Sequence, residues 1–199
     1  MILLFGANGL AGRALLGAAE QPIVSVLRRP SDDPFFADRQ TAVADVMSPE
    51  ACEAVMQQYS PKVVISYIGG KKDGVRSDAA GNINIIRAML KYAPTARFIF
   101  ITSMGCGEQW EFVSERGKQV LGEALREKTQ AENLLRESAL NWTILRPCGL
   151  NTDEGETFRL IENATEIPKC YMSRNALAKA VLCVLERQDL NHKILSVMQ

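Results

Sequence analysis

A doubly wound α/β fold with a mostly parallel sheet is the class the sequence predicts, on three observations. Short aliphatic runs alternate with longer helical stretches along the whole chain. Most of those runs are apolar almost throughout and show no alternation, which is the pattern of strands buried on both faces of a parallel sheet. The first run also passes directly into a glycine-spaced bend, Phe5-Gly6-Ala7-Asn8-Gly9-Leu10-Ala11-Gly12, that opens the first helical stretch.

Taken in order, the first strand is expected at 2–5, where Ile2-Leu3-Leu4-Phe5 is unbroken, and a helix over 10–20 follows it. A strand at 23–27 leads to Pro30-Ser31-Asp32-Asp33-Pro34, a loop by its turn chemistry. Strands at 41–44, 63–68, 98–102, 143–145 and 193–197 alternate with helices over 49–59, 79–91, 118–138 and 174–187. Two longer segments resist regular assignment. Segment 103–117 carries Gly105, Gly107 and Gly117 around Trp110 and Phe112. Segment 147–168 carries Gly149, Gly155 and the solvated acidic run Asp153-Glu154-Gly155-Glu156. Both follow strands and so leave the sheet at its C-terminal edge, where open α/β sheets bind ligands and where long connections often act as lids.

The 199 residues fit a single domain spanning 1–199, and 47% apolar with 23% charged residues is ordinary for a folded chain. Twenty-three Lys and Arg balance twenty-three Asp and Glu, so no global cationic field exists to hold nucleic acid or anionic lipid. No apolar run approaches the roughly 18 residues of a membrane span. Met1 is followed at once by the first strand, without a basic region or a cleavage site, and a cytoplasmic location is expected. The five cysteines (52, 106, 148, 170 and 183) are scattered and lack CxxC spacing. They read as reduced thiols, and no metal site is expected. His192 is the only histidine, which disfavours a Ser-His-Asp hydrolase or a Cys-His protease. The expected partner is a small-molecule substrate, with no nucleic acid and no membrane. The chain is expected to be a monomer or a weak homodimer.

The bend between the first strand and helix reads as a phosphate-binding turn. Gly6 allows the tight turn, Gly9 lets the backbone approach a pyrophosphate, and Gly12 lets the helix pack close to the sheet. The free N–H groups and dipole of the helix N-terminus would hold the anion. NAD sites place an acid at the end of the second strand, but Ser25-Val26-Leu27-Arg28-Arg29 has none there. A guanidinium can bond a 2′-phosphate bidentately, so Arg28 and Arg29 favour NADP(H) over NAD(H). Arg13 is a further candidate for reaching the phosphates.

These motifs together resemble the atypical short-chain dehydrogenase/reductase superfamily, in its small NAD(P)-binding branch of NmrA-like and flavin/biliverdin-reductase-like proteins. Gly6-Ala7-Asn8-Gly9-Leu10-Ala11-Gly12 is similar to the branch's GATGxxG, and Val24-Ser25-Val26-Leu27-Arg28-Arg29 to its second strand with a terminal Arg. Ala44-Asp45-Val46 is similar to the GDV element that implies adenine contact. Val64-Ile65-Ser66-Tyr67-Ile68-Gly69-Gly70 resembles the strand end that lines the cofactor. Ile99-Phe100-Ile101-Thr102-Ser103 resembles the strand bearing an active-site serine, and Asn141-Trp142-Thr143-Ile144-Leu145-Arg146-Pro147 the motif DWTIVRP. The resemblance implies a single-domain Rossmann-type fold. It also implies a cofactor site of Gly6, Asn8, Gly9, Leu10, Gly12, Arg28, Arg29, Asp45, Val46, Ile68, Gly69, Ser103, Lys128 and Pro147.

The resemblance further implies a YxxxK arrangement. Lys128 stands at the lysine, but Ala124 occupies the place of the tyrosine that would donate a proton. Lys128 would bond the nicotinamide ribose, and Ser103 would offer its hydroxyl to the substrate or the carboxamide. The plain alternatives are an exposed Lys128 paired with Glu132 at i+4, and a Ser103 that merely caps a strand end. Tyr171 and Tyr67 are the remaining acid candidates. Trp110 and Phe112 either cap a flat acceptor or pack against the domain. Cys106 is a reactive thiol only if it is activated. Lys71-Lys72 either draws in an anionic substrate or forms a solvated basic turn.

The expected activity is NADPH-dependent reduction of a small conjugated or carbonyl acceptor of flavin, quinone, enone or tetrapyrrole type. Two alternatives keep the same fold: an NmrA-type sensor that binds NADP(H) without chemistry, and an isomerase or cyclase that uses the nucleotide as scaffold.

Overall fold

The apolar runs form the strands, and the amphipathic stretches pack over them. The computed structural model describes residues 1–162, 164, 167 and 170–199. In chain order its elements are β1 (Ile2–Phe5), α1 (Leu10–Ala18), β2 (Ile23–Leu27), β3 (Thr41–Val43), α2 (Pro49–Tyr59), β4 (Val63–Ser66), β5 (Lys71–Lys72) and β6 (Val75–Arg76). There follow α3 (Ala80–Tyr92), β7 (Arg97–Ile101), α4 (Glu115–Glu137), β8 (Asn141–Pro147), β9 (Gly149–Asn151), β10 (Arg159–Glu162), β11 (Tyr171–Ser173), α5 (Arg174–Glu186) and β12 (Lys193–Met198).

Eight strands form one sheet in the order β10-β12-β8-β7-β4-β1-β2-β3. Every neighbouring pair is parallel except β10 with β12. From β1 the chain steps outward to β3, then crosses to β4 and steps outward the other way. The direction reverses between β1 and β4, and this opens a crevice beyond their C-terminal ends. β2 and β7 are buried along their whole length, as strands covered on both faces must be. On one face α2, α3 and α4 pack on Phe98, Phe100 and Trp142. On the other, α1 and α5 pack on Leu4, Ile65, Ile99 and Leu145. Ser48, Ser114 and Ser173 cap α2, α4 and α5 by accepting from backbone N–H groups in the first turn.

The differences from the expected elements have local causes. β8 covers seven residues where 143–145 was expected. Its polar Asn141 and Arg146 hide it from an apolar pattern, although they lie in register with β7 and β12. α4 starts at Glu115 because Ser114 caps it there. β4 ends at Ser66, whose hydroxyl turns into the crevice wall. Segment 103–117 contains a 3-10 turn, Gly107–Phe112, and the start of α4. Segment 147–168 contains β9, which pairs with β11, and β10; its residues 163, 165, 166 and 168 lie outside the described residues. An unexpected hairpin joins β5 to β6 through Asp73 and Gly74, at φ 51° and 81°, the backbone of a type I′ turn. No helix is long and apolar enough to cross a membrane among the described residues.

Candidate functional site

The glycine turn lies at the reversal point. Gly6 has φ +82°, which an L side chain resists, and Gly9 donates its N–H back to the Gly6 carbonyl at 3.1 Å. A Cβ on Gly12 would fall 2.4 Å from the Gly6 carbonyl oxygen and 2.9 Å from the Ala7 Cα. Gly12 therefore lets α1 close onto the turn itself rather than onto the sheet. α1 begins at Leu10 with Gly9 as its N-cap, no side-chain cap and no acid in its first turn. Its unsatisfied N–H groups suit an anion. The residues present thus fit the pyrophosphate of a dinucleotide.

Asn8 sits on the rim of the turn and accepts from Arg13, through Oδ1 at 2.5 Å and through its carbonyl at 3.2 Å. Arg13 also pairs with Asp33 and lies 4.8 Å over the Phe35 ring. Its hydrogen bond holds the Asp33 carboxyl below the usual range. Arg13 thus fastens the loop at 30–37 to the turn and is already engaged, contrary to the expectation that it reaches for phosphate.

On the β2 side, a hollow of about 210 Å³ is bordered by Gly6, Gly9, Arg28, Asp45, Val46 and Ile68. Asp45 accepts from the Met47 N–H at 3.0 Å, which sets the bend that leads into α2. Val46 packs against Gly81, where a Cβ would come within 2.8 Å of its Cγ2. Arg28 is exposed at the mouth, and no side chain among the described residues pairs with it. Arg29 is also exposed but does not border this hollow.

On the β7 side, a second hollow of about 310 Å³ is bordered by Leu10, Gly12, Tyr67, Lys128, Pro147 and Arg174. Lys128 is mostly buried, with its Nζ 3.1 Å from Asp78 Oδ1 and 3.3 Å from the Ile68 carbonyl. Asp78 is 1% exposed; its Oδ2 accepts from Arg76 Nη2 and from the Gly70 N–H, both at 2.9 Å. Gly69 permits this closeness, since a Cβ there would lie 2.6 Å from both Asp78 Oδ1 and Lys128 Nζ. Asn82 braces the wall by donating to the Ile68 and Asp78 carbonyls, and it accepts from Ser66 at 2.6 Å. The alternative pairing of Lys128 with Glu132 is not formed. Glu132 is fully buried and takes Arg146 bidentately at 2.6 and 3.1 Å.

The other candidates are placed less centrally. Ser103 is half-buried and donates to the Met104 carbonyl at 3.1 Å, while Thr102 borders the hollow. Tyr171 is 69% exposed on β11, over Gly149. The Tyr67 hydroxyl is buried without a partner among the described residues, and burial raises its pKa. Trp110 packs on α4 over Gly122, flanked by Lys118 and Arg126, and so does not cap an acceptor. Cys106 is fully buried, and burial pushes its thiol up to about 12, which removes it as a nucleophile at neutral pH. Asp78 went unnoticed in the sequence, where an Asp just before a helix reads as a cap. A larger hollow of about 740 Å³ runs along α4 beside β12, past Arg136 and His192. The glycine that borders it, Gly107, opens only a short 3-10 turn that carries Glu108 and does not lead a sheet strand directly into an α-helix, so the dinucleotide geometry lies in the crevice instead.

The sequence profile of a family described as NAD(P)H-binding matches residues 6–188. No curated protein matches the chain by sequence. Among solved structures, ChuY, an anaerobilin reductase from Escherichia coli O157:H7, is 30% identical, with 99% of this chain and 96% of that one covered and a TM-score of 0.85. ChuY from E. coli strain CFT073 is 28% identical over 99% of this chain and 95% of its own, with a TM-score of 0.83. A short-chain dehydrogenase/reductase from Veillonella parvula in complex with NADP is alike in fold, at 21% identity, 100% and 94% coverage and a TM-score of 0.73.

Proposed function

The chain belongs to the NAD(P)H-binding family, in the atypical short-chain dehydrogenase/reductase group, and from that premise we propose that it is an NADPH-dependent reductase of a planar conjugated acceptor. A linear tetrapyrrole is the acceptor class best supported, because the anaerobilin reductase ChuY is similar over nearly the whole chain. The observation that carries the reading is the crevice itself. An uncapped helix N-terminus stands at one end of it and a buried, anchored lysine at the other.

When bound, the cofactor supplies the hydride; the protein supplies position and electrostatics. The turn from Gly6 to Gly12 would take the pyrophosphate on the N–H groups of α1. Arg28 would meet the 2′-phosphate beside Asp45 and Val46. Lys128 keeps one N–H free of Asp78 and Ile68, which suits a ribose hydroxyl. Its charge would also favour negative charge developing on the acceptor. With Ala124 one turn before Lys128, no phenol donates a proton there, and a conjugated acceptor can take its proton from solvent.

The test is NADPH oxidation with a panel of linear tetrapyrroles, flavins and quinones. Turnover with one class and not with simple ketones is the expected result. Tight NADPH binding without turnover on any of them would favour the second reading that Ala124 allows, a sensor without chemistry.

A further inference from the structure

The β5–β6 hairpin carries basic residues on two faces. Lys71 and Arg76 are cross-strand partners, and both are matched by acids. Lys71 Nζ lies 3.3 Å from Glu123 Oε2, and Arg76 Nη2 lies 2.9 Å from Asp78 Oδ2. Side chains alternate along a strand, so Lys72 and its partner Val75 stand on the opposite face. Lys72 is exposed there, and no acid lies within ion-pair distance of it among the described residues.

Lys72 borders a hollow of about 270 Å³ together with Arg28, Met47, Val75, Ser77 and Lys71, whose charge is already answered by Glu123. Arg28, Met47 and Ser77 also border the 210 Å³ hollow on the β2 side, so the two spaces share a wall. Two cations without counter-ions therefore meet where the adenosine end of a dinucleotide would emerge. A phosphomonoester dianion there would answer both charges. Asp73, at the hairpin tip, is the one acid among the residues bordering this hollow, and it opposes that anion. The hairpin is held in place: Ser77 donates its N–H to the Gly70 carbonyl at 3.1 Å, Gly70 donates to Asp78, and Asp73-Gly74 forms the tight turn.

We propose that Lys72 is the second cation of a 2′-phosphate subsite whose first is Arg28, and that Arg29 takes no part. This rests on the dinucleotide reading above and assigns the specificity within it.

Calorimetry on the full chain with NADP⁺, NAD⁺ and 2′,5′-ADP tests it. Lys72→Met should weaken NADP⁺ and 2′,5′-ADP about tenfold, the worth of one exposed charge-assisted contact, and leave NAD⁺ within twofold. Arg29→Met should stay within about twofold for all three, and Asp73→Asn should tighten NADP⁺ alone. Equal losses for both dinucleotides in Lys72→Met, no loss for NADP⁺, or a matching loss in Arg29→Met overturns the assignment. Wild-type protein that binds NADP⁺ no better than NAD⁺ removes the phosphate subsite but spares the crevice. Wild-type protein that binds neither removes the cofactor reading as well.

Discussion

Lys128 Nζ and Asp78 Oδ1 stand 3.1 Å apart, and the carboxylate is sealed from solvent at the entry to α3. The pair joins α4 to the entry of α3, and it aims the lysine at the crevice. Asp78 also holds Arg76, so one acid fixes both the lysine and the base of the hairpin.

Asp78→Asn keeps the shape and removes the charge. Lys128 and Arg76 then share an amide in place of an anion, and the lysine is free to leave its position. Dinucleotide affinity is expected to fall about tenfold, as follows when a buried, hydrogen-bonded ion pair loses one charge. Calorimetry reads the affinity and a thermal melt reads the fold. Unchanged affinity would show that Lys128 is held by the Ile68 carbonyl alone.

Two glycines in α1 make a matched pair of substitutions. Gly12→Ala places a methyl 2.4 Å from the Gly6 carbonyl, so the turn must open; dinucleotide binding should be lost. Gly17→Ala meets nothing within 4 Å in the same helix. It should stabilise the protein by about 0.5–1 kcal/mol through helix propensity and leave binding unchanged. Chemical denaturation and calorimetry on both variants measure this. A Gly12→Ala protein that binds normally would mean that the turn is not the anion site.

Sequence legibility followed the range of the interactions involved. The ends of β1 and β2 were readable because both runs are apolar at each end, with only Ser25 interrupting β2, and the glycine turn because its chemistry is local. The basic turn at Lys71-Lys72 was readable, but the β5–β6 hairpin was not, because its two-residue strands are too short to show a strand pattern. The partner of Lys128 was not readable: Asp78 reaches it only after α3 and α4 pack on the sheet. Arg13 looked free by position, and only the folded loop at 30–37 brings Asp33 and Phe35 to it. Arg28 and Arg29 are indistinguishable in sequence. The strand end separates them, with one beside the hollow and the other away from it.

The fully buried pair of Glu132 and Arg146 gives a stability prediction. Glu132 takes both Arg146 and the Thr102 hydroxyl, and Arg146 also reaches Glu108 at 2.6 Å. Glu132→Leu leaves the guanidinium buried with only the exposed Glu108 as a counter-ion. A loss of about 3–5 kcal/mol is expected, a drop of roughly 6–20 °C in Tm for a chain of this size. Glu132→Leu combined with Arg146→Met should recover most of that loss, because both charges are gone. A single variant that melts like wild type would show the pair to be solvated in practice.

Alkaline pH offers the last prediction. Burial pushes the thiols of Cys52, Cys106 and Cys148 up to about 12, with Cys170 adding to the rise at Cys148. An unfolded thiol titrates near 8.5. Between these values the native chain keeps protons that the unfolded chain has lost, so the unfolded state binds fewer and stability falls as pH rises. The contribution is whole below about pH 8.5 and disappears as pH climbs towards 12. Each thiol adds up to ~1.4 kcal/mol per pH unit to that slope. Urea unfolding at intervals from pH 8 to 11 should show the decline, and Cys106→Ala should make it shallower whatever its stability at pH 7. An identical slope in that variant would mean that the thiol ionises in the folded state as it does in the unfolded one.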